Sequence, residues 1–205
     1  MYFRIIHDEA SGAMSYLLAD LDAGAAVLID PRSADLPMLH AMLDEHRLHL
    51  QWVLRTHEHD SHMPGEADAL RALGTQRIEH QVPSANGGLL VFGNEFLRVI
   101  ATPGHTPGCL SFLWRDRLFC GDLLVMDACP YQPRPSLPTI LWASVTQKVF
   151  TLPAETLLFN GHARRARSVS NVLEQRRWHP WFAGASRDEF LSRVAAPSIT
   201  LNTAT

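Results

Sequence analysis

The chain of 205 residues has few of the features that mark membrane, secreted or nucleic-acid-binding proteins. No apolar run approaches the roughly 20 residues that a membrane-spanning helix needs. Only three cysteines are present, an odd and sparse count that argues against a disulfide framework and favours a reducing compartment. The net charge of -3 provides no general attraction for nucleic acid. We therefore expect neither a membrane nor nucleic acid among its partners.

Lysine is also scarce, since Lys148 is the sole lysine among the 18 basic residues. Five arginines are close together in the chain, at positions 164, 165, 167, 176 and 177. They form either a solvated helix face or a rim that attracts an anionic substrate. Residues 1–7 lack the basic and apolar regions of a signal peptide, so we expect a cytoplasmic location.

The hydrophobic pattern mixes strands with helices along the whole chain. It predicts strands over residues 2–6, 15–18, 25–29, 51–55, 77–80, 95–100, 110–114, 117–120 and 156–159. It predicts helices over residues 36–46, 65–73, 139–150, about 169–177 and 187–194, with a proline-rich loop over 132–138. This mixture favours a layered α/β fold over a helical bundle or an all-β barrel, and we expect one domain over residues 1–205.

Histidine is concentrated in the segment Thr-His-Glu-His-Asp-Ser-His at residues 56–62, between a predicted strand and a predicted helix. Side chains alternate along an extended segment, so His57 and His59 point to one side. Neutral imidazole is a common ligand of transition metals, and loops at strand ends are where α/β sheets place ligands. The segment with His57, His59 and His62 therefore predicts a metal site.

Three further elements fit the same site. His105 lies in a turn, residues 102–108, that two prolines and two glycines restrict. Asp122 follows Gly121 directly after an apolar strand, and an anionic oxygen there completes a set of two histidines and one carboxylate. His162 follows Gly161 at the end of another strand. The order and spacing of these elements are more specific than any one of them.

That order resembles the metallo-β-lactamase superfamily, whose pattern is His-x-His-x-Asp-His, a histidine turn, Gly-Asp and a late Gly-His. The resemblance implies a four-layer αββα sandwich. The residues that match are His57, His59, His62, His105, Asp122 and His162. Ser61 stands where the family has an aspartate that binds a second metal. We therefore expect a single metal at His57, His105 and Asp122, with His59, His62 and His162 as additional ligands or their hydrogen-bonding partners.

Within the superfamily the chain is most similar to the glutathione persulfide dioxygenases, at residues 15–31, 102–109, 121–129, 150–153 and 187–190. The resemblance implies one non-haem Fe(II) per chain, with open positions on the ion opposite the two histidines and the carboxylate. It implies oxidation of a thiol persulfide, glutathione persulfide or a similar one, by dioxygen to sulfite and thiol. It also suggests a homodimer.

Two departures from that family affect the substrate site. Tyr131 stands where the family has an arginine associated with thiol binding, and Arg134 is a candidate replacement. Ala163 and Arg164 follow His162, where the family has Asp-Tyr. We therefore predict Tyr131, Arg134 and Arg164 as substrate-binding residues. The cysteines are interpreted as small packing residues, with Cys109 and Cys129 as candidates for a place near the sulfur chemistry.

Two other functions are compatible with these residues. The same ligands could hold zinc, which activates water to hydrolyse a thioester such as a hydroxyacylglutathione. Alternatively, the changes at residues 61, 131 and 163–164 indicate a degenerate member that binds a metal or a thiol without turnover.

Overall fold

The computed structural model describes residues 1–59, 78–79, 88–125, 129–164 and 167–196. Its strands are β1 Tyr2–His7, β2 Met14–Asp20, β3 Ala25–Ile29, β4 His49–Leu54, β5 Ile78–Glu79, β6 Leu89–Phe92, β7 Glu95–Ala101, β8 Leu110–Trp114, β9 Arg117–Gly121, β10 Leu157–Arg164 and β11 Arg167–Asn171. Its α-helices are α1 Leu36–Glu45, α2 Pro138–Ser144, α3 Val172–Trp178 and α4 Arg187–Ala195.

These strands form two sheets. The first has the order β1-β2-β3-β4-β5, with antiparallel pairs up to β3 and parallel pairs from β3 to β5. The second has the order β11-β10-β9-β8-β7-β6, in which β9 and β10 are parallel and the other pairs antiparallel. Strands β3, β4, β9 and β10 thus bring their carboxyl ends together, where the predicted site residues are found.

Side-chain alternation along the strands produces three hydrophobic clusters and four layers. In β2, Tyr16 and Leu18 face the second sheet, whereas Leu17 faces the opposite way and packs with Leu39 and Leu43 of α1. On the far side of the second sheet, Leu118 belongs to a cluster with residues of α2, α3 and α4. The order helix, sheet, sheet, helix confirms the predicted αββα sandwich.

The structure corrects several predicted boundaries. Strand β6 was not predicted, and the helix expected near 169 begins at Val172 because β11 pairs with β10 as far as Asn171. The Asn171 side chain then accepts the Glu174 N–H as the N-cap of α3. The helix predicted over 139–150 is an α-helix to Ser144 followed by a π-helical turn, Val145–Val149. The helix predicted over 65–73 lies outside the described residues.

None of the described helices has the length and apolar character needed to cross a membrane.

Candidate metal centre

Three histidines and one aspartate meet where the strands end. The ring centroids of His57, His59 and His105 are 4.8 to 5.2 Å apart. Nε2 of His57 lies 3.3 Å from Oδ2 of Asp122. His105 is 0% exposed and Asp122 is 1% exposed, whereas His57 and His59 are half-buried.

A chain of hydrogen bonds from Asp30 through Thr56 to His57, hereafter the relay, orients His57 just after the end of β4. Asp30, in the left-handed region at φ 50°, accepts both the N–H and the hydroxyl of Thr56 at 2.7 Å. Because the Thr56 hydroxyl uses its hydrogen in the bond to Asp30, its oxygen accepts a hydrogen bond from Nδ1 of His57, 2.9 Å away. This assignment places the proton on Nδ1 and directs the Nε2 lone pair towards the centre.

The loop 129–136 fixes the tautomer of His105. Its Nε2 lies 2.9 Å from the Gln132 carbonyl oxygen, which can only accept, so Nε2 carries the proton. The Gln132 side-chain amide and the Ser136 hydroxyl both donate to the His105 carbonyl. Burial lowers the pKa of His105 to about 4, which keeps the ring neutral with a lone pair on Nδ1.

Asp122 is the negative group of the centre. Nδ1 of His162 lies 2.9 and 2.8 Å from its two carboxylate oxygens and donates to them. Burial alone would raise the pKa of Asp122, but the contacts with His162 and His57 hold that pKa well below its usual range. Burial likewise opposes charge on His57, yet Asp122 raises the pKa of His57 well above its ordinary value. Asp122 therefore favours positive charge at Nε2 of His57, whether that atom binds a proton or a metal ion.

Gly121 allows this close approach between β9 and the histidine segment. Its φ is +54°, in the left-handed region that favours glycine. A Cβ at this position would lie 2.7 Å from Cβ of Thr56 and 3.0 Å from Nδ1 of His57. Any larger residue would push the relay away from Asp122.

The two sheets are joined by a hydrogen bond close to His162. Tyr16 of β2 is 1% exposed, and its hydroxyl donates to the Asn160 carbonyl at 2.5 Å. Asn160 lies two residues before His162 in β10. The bond therefore fixes the segment that places His162 against Asp122.

The arrangement fits a metal ion. Nδ1 of His59 and Nδ1 of His105 are both buried and lack a hydrogen-bond partner among the residues that the structure describes. Ligand atoms of His59, His105, Asp122 and Cys129 all lie within 4.8 Å of one another. Neutral imidazoles with unused lone pairs beside a carboxylate are the donor set of zinc and Fe(II) sites.

A cavity of about 550 Å³ adjoins the centre, a size typical of small-molecule sites. His57, His59, His162 and Tyr131 contribute to its wall. Tyr131 is 65% exposed, and its ring centroid lies 5.6 Å from that of His59. Arg32, which also lines the cavity, forms ion pairs with Asp8 and Asp35.

The other predicted site residues are placed differently. The guanidinium of Arg134 donates to the carbonyls of Val194, Ala195 and Ala196 at the end of α4, so its hydrogen bonds go to the helix terminus. For Arg164 the structure describes only the backbone, in β10, and His62 lies outside the described residues. Substrate binding by Arg134 and Arg164 thus stays a prediction.

Four residues that support the centre were missed in the sequence: Tyr16, Asp30, Thr56 and Gln132. Asp30 and Thr56 each lie just after a predicted strand, and this position at a strand end was the signal that could have identified them. Tyr16 and Gln132 act over long separations in the chain and carry no local signal.

Comparisons with known proteins match this architecture. The metallo-beta-lactamase superfamily model matches residues 55–162. The mitochondrial persulfide dioxygenase ETHE1 of Homo sapiens is 33% identical over 189 residues, covering 86% of this chain and 74% of that protein. The crystal structure of ETHE1 from Myxococcus xanthus has a TM-score of 0.80 and 32% identity, covering 97% of this chain and 93% of the other. A hydroxyacylglutathione hydrolase of Anaeromyxobacter dehalogenans is 36% identical over 124 residues, 56% of this chain and 47% of that protein.

The chain therefore belongs to the metallo-β-lactamase superfamily. Within it, the chain is similar over most of its length to persulfide dioxygenases named ETHE1, and over a shorter stretch to hydroxyacylglutathione hydrolases.

Proposed function

We propose that this protein is an iron-dependent persulfide dioxygenase, which oxidises the outer sulfur of glutathione persulfide or a similar thiol persulfide to sulfite. His57, His105 and Asp122 are the proposed Fe(II) ligands. The observation that carries the proposal is the meeting of the His57 and His105 imidazoles, each oriented by a hydrogen bond on its other ring nitrogen, with one buried carboxylate beside an open cavity. The similarity to ETHE1 over 86% of the chain supports the substrate class.

The bound Fe(II) would supply dioxygen activation, and the protein would supply position and exclusion of water. The relay from Asp30 through Thr56 keeps the His57 lone pair directed at the centre. His162 holds both oxygens of Asp122 and so limits rotation of the carboxylate. Tyr131, on the cavity wall beside His59, is proposed to contact the thiol part of the substrate. Homodimer formation and a cytoplasmic location stay predictions.

The second candidate function is thioester hydrolysis with zinc. The observation that favours it is the similarity of 56% of the chain to a hydroxyacylglutathione hydrolase. Zinc on the same ligands would lower the pKa of bound water to about 7. The two functions differ in metal and in oxygen requirement, which makes them separable by experiment.

The test is oxygen uptake by protein loaded anaerobically with Fe(II), after addition of glutathione persulfide, with sulfite measured in parallel. We expect sulfite release to match oxygen uptake. Asp122→Asn should abolish both, because the amide loses the negative charge of the carboxylate. Asp116→Asn is the matched control, since Asp116 has a 58% exposed side chain paired with Arg117.

Iron-loaded protein that consumes no oxygen with glutathione persulfide or other persulfides would refute the dioxygenase proposal. Thioester cleavage by the zinc-loaded protein would then establish the hydrolase. Stoichiometric metal and thiol binding without either reaction would indicate the degenerate member.

A further inference from the structure

The loop between β1 and β2, residues 8–13, contacts the end of β10 where His162 lies. The Ala163 N–H donates to the Gly12 carbonyl at 2.8 Å, and Ala13 and His162 form an antiparallel bridge. Gly12 has a φ of +75°, and a Cβ at this position would lie 3.1 Å from the Ala163 carbonyl oxygen. The β1–β2 loop and β10 are therefore in direct backbone contact, with little space between them.

Arg32 attaches the β1–β2 loop to the segment that follows β3. Its guanidinium forms an ion pair with Asp8 and donates to the Ser11 hydroxyl oxygen at 3.4 Å. The same group donates to both carboxylate oxygens of Asp35, at 3.0 and 3.1 Å. The side chains of Arg32 and Asp8 are only 26% and 24% exposed, so water screens their attraction less than that of a fully exposed pair. One rigid guanidinium thus joins two parts of the chain.

The carboxylate that Arg32 contacts is built into the backbone of the loop. Asp8 accepts the Ser11 N–H at 3.0 Å and also the Ser11 hydroxyl. The Asp8 N–H donates to the Ala13 carbonyl at 2.9 Å, and the Asp8 carbonyl accepts the Gly12 N–H at 2.7 Å. The hydrogen bonds from Ser11 and the pair with Arg32 lower the pKa of Asp8 to about 2, against the opposing effect of desolvation. Any displacement of this ionised side chain would move Gly12 and Ala13 with it.

We propose that Arg32 is a positioning residue of the metal centre, which acts through the β1–β2 loop on His162. His162 in turn donates to both carboxylate oxygens of Asp122, at 2.9 and 2.8 Å, so a shift at this point of β10 would reorient a proposed metal ligand. The segment after β3 would then support the centre twice, since Asp30 of the same segment orients His57 through the relay. The inference rests on the metal centre of the proposed function and not on its substrate.

Arg32→Met tests the proposal, because it removes the guanidinium and keeps a flexible side chain. We expect zinc affinity, measured against a chromophoric chelator, to fall roughly three- to tenfold, less than the roughly 10–100-fold typical of a direct hydrogen-bonding partner of a ligand. Hydrogen exchange of the Ala163 amide, followed by NMR, should accelerate because its bond to Gly12 would open more often. Asp8→Asn removes the charge from the loop and should change both quantities in the same direction.

A double-mutant cycle with His162→Gln separates positioning from general stability. In protein that carries His162→Gln, Arg32→Met should leave zinc affinity unchanged, because the residue through which Arg32 acts is already lost. Arg117→Met is the matched control. Arg117 pairs with Asp116 and has a side chain 23% exposed, but it lies at the opposite end of β9 from Asp122. This variant should keep the wild-type zinc affinity.

Wild-type zinc affinity in Arg32→Met, or in Asp8→Asn where the first variant does not fold, would overturn the positioning role and leave the metal centre intact. An equal fall in affinity with and without His162→Gln would also overturn it, since Arg32 would then act by another route. Absence of zinc binding by the wild-type protein would overturn the metal centre itself, and with it both the proposed function and this inference.

Discussion

Replacing Thr56 by valine tests whether the relay behind His57 controls metal binding. Valine has nearly the same shape but lacks the hydroxyl that donates to Asp30 at 2.7 Å and accepts from His57 at 2.9 Å. Thr56 is 1% exposed, so water cannot replace the lost bonds. A buried polar group left unpaired costs roughly 1–3 kcal/mol, which should appear as a lower free energy of unfolding. Loss of a partner of this kind typically weakens metal affinity by roughly 10–100-fold.

The assays are urea unfolding and zinc competition with a chromophoric chelator. Thr56→Ser keeps the hydroxyl and should retain near wild-type affinity. Thr102→Val is the matched control, because the Thr102 hydroxyl is equally buried but bonds to the Ser111 hydroxyl at 2.8 Å and not to a histidine. It should lose stability without losing affinity. Wild-type zinc affinity in Thr56→Val would refute the relay, whatever its effect on stability.

Three further predictions concern the surroundings of the centre. Gly121→Ala should lower zinc affinity and cost more than about 1 kcal/mol of stability, because the new Cβ would meet Thr56 and His57; unchanged affinity on chelator competition would contradict this. Burial lowers the pKa of His179 to about 4, so its neutral form is favoured in the folded state, and the stability this provides is lost as pH falls below about 6.5. Urea unfolding should therefore show wild type losing about 2 kcal/mol more than His179→Asn between pH 7 and pH 5, and equal losses would refute the shift. Arg134→Ala should cost about 0.5–1 kcal/mol by removing donors from the end of α4, and zinc affinity should stay unchanged; a large fall in affinity would place Arg134 in the site instead.

The candidate metal ligands were easier to predict from the sequence than the residues that hydrogen-bond to them and orient them. His57, His105 and Asp122 were predicted as ligands because each stands in a short motif at a strand end, and the structure brings the three side chains together. The sequence pattern cannot show that Thr56 lies between Asp30 and His57, since that contact joins residues 26 positions apart. The bond from Tyr16 to Asn160 spans 144 positions and depends on how the two sheets stack.

Cys129 shows the same limit more sharply. From the sequence, a buried cysteine is most simply interpreted as a small packing residue. Its contact with His59 joins residues 70 positions apart, so no local pattern shows it. The fold was predicted at the level of layers because hydrophobic periodicity is local. Strand β11 and the π-helical turn after α2 were missed because pairing with β10 and packing beneath the sheet override local preference.

No single strand positions all the residues of the candidate metal centre. β4 leads into the histidine segment, Asp122 directly follows β9, and β10 contains His162. Each proposed ligand is oriented by a partner from another part of the chain: His57 through Thr56 by Asp30, His105 by Gln132, and Asp122 by His162. Because these partners bond side chains that would otherwise be buried and unpaired, the polar centre forms only when both sheets are assembled. Metal binding should accordingly stabilise the sandwich as a whole, since the ion uses lone pairs that exist in this geometry only in the folded protein.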